Sequence, residues 1–83
     1  MVYSYPQFRK NTTGTSYYQI TSEHHLVEWQ KLGGKLLRHE IEARILPEKL
    51  LIADILACVN NHYLHADESE WDRFVRSEGK SNS

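Results

Sequence analysis

The chain has 83 residues, with ten Lys and Arg against eleven Asp and Glu, a formal net charge of −1. That length fits one domain with no room for a second core, and the near balance of charge excludes the strongly basic footprint of a dedicated nucleic-acid binder, whose affinity comes largely from neutralised phosphates. A domain of this size buries only about 60% of the surface its unfolded chain exposes, so its stability is marginal unless a staple or a partner adds to it.

Cys58 is the single cysteine, which rules out a disulfide within the chain and fits a reducing compartment. Residues 1–10 lack the basic start and apolar run of a secretory signal, and charged or amide groups interrupt every window long enough to cross a bilayer. The expected address is therefore the cytoplasm, without membrane insertion. Residues 1–77 are expected to form the domain and 78–83 a disordered tail. Charge is mildly divided along the chain: residues 1–46 hold six basic against four acidic residues, and residues 47–83 hold four against seven.

The first strand is expected at 2–9, with Pro6 placing it at a sheet edge or breaking it, because proline cannot donate to a ladder. Asn11-Thr12-Thr13-Gly14 supplies turn chemistry, and the β-forming run Thr15-Ser16-Tyr17-Tyr18-Gln19-Ile20-Thr21 predicts a second strand at 15–21. A second hairpin is expected at 24–32 and 35–45. Gly33-Gly34 offers the positive φ of a two-residue turn, where a helix would lose roughly 1 kcal/mol per glycine. Leu37, His39, Ile41, Ala43 and Ile45 alternate with Arg38, Glu40, Glu42 and Arg44, as in a strand with one wet face. The turn would set Glu28 opposite His39 and Trp29 opposite Arg38. A mostly α alternative keeps 22–45 helical, since Leu26, Trp29, Leu32, Leu37 and Ile41 also fit helical spacing.

Pro47 and Glu48 suit the first turn of a helix, and Leu50, Leu51, Ile52, Ile55, Leu56, Val59 and Tyr63 carry it over 47–64. These side chains cover most of its circumference, leaving a polar stripe of Asp54, Asn61 and His65 with Cys58 beside it. Asp67 with Glu70 reads as a capping box, and Trp71, Phe74 and Val75 predict a short helix at 68–77 that folds back against both the sheet and the long helix. The expected class is α+β, a sheet of three to four antiparallel strands followed by the two helices.

Several constellations bear on chemistry. Asp54, Cys58, His62 and His65 recur at i, i+4, i+8 and i+11, but without a finger or ribbon spacing they read as a solvated stripe and not a zinc site. Cys58 and His62 lack the orienting group and oxyanion hole that a nucleophile needs. His24, His25, Glu28 and His39 read as ordinary surface and cross-strand residues. No catalytic, cofactor-binding or metal-ligating residue is predicted. The expected function is a non-enzymatic protein-interaction or regulatory module, binding a protein partner or itself as a homodimer. Its contact is expected at Leu51, Ile52, Ile55, Leu56, Val59 and Tyr63, because so small a core cannot use every apolar side chain. The alternative is a nucleic-acid-binding regulator, with Arg9, Lys10, Tyr17, Tyr18, Trp29 and Arg38 as rings that stack bases and cations that track phosphates.

Overall fold

Alternation and turn chemistry build four antiparallel strands in the first half of the chain: β1 (Gln7–Asn11), β2 (Ser16–Ser22), β3 (His25–Leu32) and β4 (Lys35–Glu42). The computed structural model describes residues 3–80. Val2, at the start of the expected first strand, and residues 81–83 of the expected tail lie outside the described residues. In the β1–β2 turn, Asn11 Oδ1 accepts the backbone N–H of Thr15 at 2.9 Å and of Ser16 at 3.1 Å. Gly33 and Gly34 take φ of 60° and 82° and close a two-residue turn between β3 and β4, as their pairing in sequence suggested. The resulting register sets Glu28 against His39 and Trp29 against Arg38. The mostly α alternative for 22–45 is thereby overturned. Both backbone edges of β3 are occupied, by β2 and β4, pairings that a helical segment would forgo.

The first helix, α1 (Leu46–Ala57), starts where the Glu48 carboxylate reaches back to accept the backbone N–H of Arg44 at 2.9 Å. It stops well short of the expected 64. Cys58 turns left-handed at φ 52°, with its N–H returned to the carbonyls of Asp54 and Ile55. Val59–Asn61 form a single 3-10 turn in which Asn60 and Asn61 are also left-handed, at 57° and 60°. Asparagine is among the few residues that visit this region readily. The chain then enters a fifth strand, β5 (Tyr63–Ala66), antiparallel to β1 with Phe8 opposite Ala66 and Asn11 opposite Tyr63. The physical reason is the open edge of β1, whose unpaired N–H and C=O groups gain partners only if the helix ends. Sheet order is β4-β3-β2-β1-β5.

The last helix, α2 (Glu68–Lys80), opens on the expected capping box. Asp67 Oδ1 accepts the Glu70 N–H at 2.7 Å, and Glu70 Oε1 accepts the Asp67 N–H at 3.3 Å. It runs past 77 into the first residues of the expected tail. Its position differs from the expectation, because it does not share a face with α1. Strand alternation sends Tyr18, Ile20 and Leu26 to one face, where they pack with Ala43 against Ile52, Ile55 and Leu56 of α1. Phe8 and Tyr17 point the other way and meet α2, with ring centroids 5.4 Å from Trp71 and 4.4 Å from Phe74. The architecture is a five-stranded sheet with one helix on each face. Among the described residues no helix is long and apolar enough to cross a membrane.

Candidate docking surface on the first helix

Because each sheet face has a helix of its own, α2 lends α1 no cover: the sheet lies under one side of α1, with Tyr3 and Tyr5 beside it. Ile52, Ile55 and Leu56 are 0%, 1% and 5% exposed, a stripe at i, i+3 and i+4 that faces the sheet. Half a turn away the helix carries Leu46, Leu50, Ala53 and Ala57, all exposed, with Leu46 at 65% and Leu50 at 52%. Ile45, at 59%, extends this apolar patch at the N-terminal end, and Leu51, at 38%, is exposed on the flank beyond Asp54. Most surface helices point charged residues outward. Here the exposed charges on α1 are Lys49 and Asp54, which flank the apolar line and take part in no described ion pair. Glu48 is occupied in the cap, and the N–H groups of Arg44 and then Ile45 hold its carboxyl below the ordinary 4.5.

The residues expected to form the contact are divided. Ile52, Ile55 and Leu56 are core, Val59 sits half-buried in the 3-10 turn, and Tyr63 lies half-buried on β5, its ring edge-on to Tyr18 at 5.7 Å. Only Leu51 is exposed. Leu46, Leu50 and Ile45 were missed, and the signal that could have found them was the second apolar stripe opposite Ile52 and Leu56. Beside the patch lies a hollow of about 360 Å³. Tyr3 and Tyr5 form one wall, Lys49 and Ala53 another, and the Glu23–His24 pair, 3.3 Å apart, stands at its rim.

The aromatic and basic set does not form one surface. Arg9 and Tyr18 face α1. Arg9 is only 2% exposed, and it donates from Nε and Nη2 to the Leu56 carbonyl at 3.3 and 3.0 Å, at the C-terminal end of α1. Burial first, and the Glu28 carboxylate next, push the Tyr18 phenol up to about 12. Lys10, Tyr17, Trp29 and Arg38 face the other way. Lys10 donates to Glu70 of α2 at 2.7 Å, a bond that raises the lysine and lowers the carboxyl. Tyr17 lies under Phe74. Arg38 sits over the Trp29 ring at 5.8 Å and 3.6 Å from Glu40.

The other polar constellations separate in the same way. Asp54 stays on α1, Cys58 caps it, His62 follows the 3-10 turn, and His65 stands opposite Arg9 on β5. Among the described residues no three of His, Cys, Asp and Glu gather where they could hold a metal ion. One arrangement was invisible in sequence. His25 bridges Thr21, whose Oγ1 lies against Nδ1, and Glu40, which Nε2 meets at 2.6 Å. That contact, and next the charge of Arg38, lowers the Glu40 carboxyl. A hydroxyl, an imidazole and a carboxylate in line have the outline of a relay. They lie on the open sheet surface, though, and do not line the hollow beside α1. Their effect is to clasp the β-bulge at Ile20/Ser22 to β4.

Compared with protein-family models, curated proteins and solved structures, the chain matches none.

Proposed function

We propose that this protein is a non-enzymatic interaction module that docks onto protein through the outer face of α1. The observation that carries the reading is the line Leu46–Leu50–Ala53–Ala57, apolar and solvent-facing on a helix whose opposite side already fills the core. Leaving leucines in water forgoes about 1.5–3 kcal/mol for each that could be fully buried, and contiguous apolar patches of this kind mark contact surfaces. The basic and aromatic residues favour no competing reading, since Arg9 and Tyr18 are buried and Lys10 is ion-paired.

The test is photo-crosslinking in cells that express the protein. A photoreactive side chain at position 50 is compared with one at position 13, which is also exposed, in the β1–β2 turn. Docking through α1 predicts discrete protein adducts from position 50 and none from position 13. Equal yields from both positions, or no adduct from position 50, would refute it.

A further inference from the structure

Resting on that reading, we infer that the occupant of the α1 face is α1 of a second copy of this chain, packed parallel about a two-fold axis. Leu46, Leu50, Ala53 and Ala57 are spaced by four, three and four residues, the heptad interval at which side chains of two helices interlock. The leucines supply knobs in the N-terminal half, and the alanines let the backbones approach in the C-terminal half. Helix direction follows from the two exposed charges. Lys49 precedes the Leu50 seam position and Asp54 follows the Ala53 seam position, so they occupy the two flanks of the line. In a parallel pair, residues on opposite flanks five positions apart meet across the interface. Lys49 then faces Asp54 of the second copy, and Asp54 faces its Lys49. An antiparallel pair would bring lysine to lysine and aspartate to aspartate, which is unfavourable. Neither charge has a described ion-pair partner within its own chain.

The rest of the fold accommodates this pairing. Ile52, Ile55 and Leu56 hold the sheet on the far side of α1, so the two domains stand outside the helix pair. The contact is isologous and closes on itself. Twelve residues of helix span only about 18 Å, so the interface falls at the small end of specific contacts and the dimer is weak and reversible.

Sedimentation over a concentration series tests this with three variants. K49E and D54K each replace two cross-interface attractions by repulsions, and each should weaken dimerisation by roughly five- to thirty-fold, from about 0.5–1 kcal/mol for every pair changed in sign. An equimolar mixture of the two should regain association. The double variant K49E/D54K should return to within about two-fold of the wild type, which also shows that the single variants have not failed by misfolding. Wild-type protein that stays monomeric throughout, or single variants that dimerise as well as wild type, would overturn the inference. The docking reading fails separately: adducts to other proteins from position 50 would sustain it while a monomer removed the two-fold dimer.

Discussion

Replacing Arg9 by methionine should destabilise the domain by roughly 2–4 kcal/mol, and the sign is not obvious, because two large effects oppose one another. The side chain is 2% exposed and has no carboxylate partner among the described residues. Its charge is met by carbonyl oxygens alone: Leu56 at 3.3 and 3.0 Å, Phe8 at 2.8 Å and the Gln7 amide oxygen at 3.0 Å. Removing a buried charge recovers a desolvation penalty of several kcal/mol. Against that, methionine deprives these acceptors of their donor, at about 1–3 kcal/mol for each one left buried and unpaired. It also removes a cation from the negative end of α1, worth up to about 2 kcal/mol in a partly buried site. The second group of effects wins by the stated margin, and in a domain of this size each kcal/mol lowers the melting temperature by about 4–8 °C. R9K should lie between wild type and R9M, since an ammonium keeps the charge but not the planar fork that reaches Leu56 and Gln7 together. Urea unfolding followed by circular dichroism gives the free energies. R9M as stable as wild type, or more so, would refute the reasoning and make Arg9 a tolerated charge rather than the clamp that holds α1 on the sheet.

Glu70 sits below the ordinary carboxyl value because Lys10 bonds its charged form. Its contribution is therefore present above pH 4.5 and lost as pH falls through the folded-state value; E70Q should flatten the acid limb of a stability-against-pH curve, and an unchanged limb would contradict the pairing. Tyr18 has the opposite sign: with its folded value raised from 10 to about 12, its contribution is present below pH 10 and lost as pH rises towards 12. Y18F should remove the last phenolate step in an ultraviolet titration of the folded protein, and a titration that kept that step would sink the assignment. C58G should raise the melting temperature slightly, relieving a left-handed residue at a cost otherwise of about 1–2 kcal/mol; a fall would show that the half-buried thiol's packing outweighs the strain. G34A places a Cβ in open space at φ +82°, so its whole cost is backbone, about 1–2 kcal/mol, measurable as a shift in the urea midpoint, and no shift would argue against the two-residue turn.

The β3–β4 hairpin was legible down to its register, because the glycine pair marks the turn and alternation from Leu37 onward admits one wet face, although β4 ends at Glu42, three residues short of the expected 45, and Ile45 caps α1 instead. The start of α2 was legible for a similarly local reason, the reciprocal bonding of Asp67 and Glu70. The end of α1 was obscured: Val59 and Tyr63 continue the apolar spacing of the helix, although Tyr63 belongs to a strand, and the competing demand comes from the edge of β1, some fifty residues earlier in the chain. Asn60-Asn61 was the local sign that the helix stops. The placement of α2 was hidden because Tyr17 and Tyr18 both read as strand formers, and nothing local says that each serves a different helix. Arg9 reads as a surface cation in an alternating strand, and its burial follows only once α1 ends above it. The docking face needed the same knowledge. A helix apolar on every side shows its open flank only when the flank taken by the sheet is known, and the residues expected at the contact were largely those the core had already used.

The central claim, that α1 presents its outer line to a protein partner, is tested most directly by moving the photoreactive side chain one position at a time from 45 to 57. Docking on this face predicts a periodic yield, with maxima at positions 46, 50, 53 and 57 and minima at 52, 55 and 56. A flat profile, or maxima at the sheet-facing positions, would contradict it.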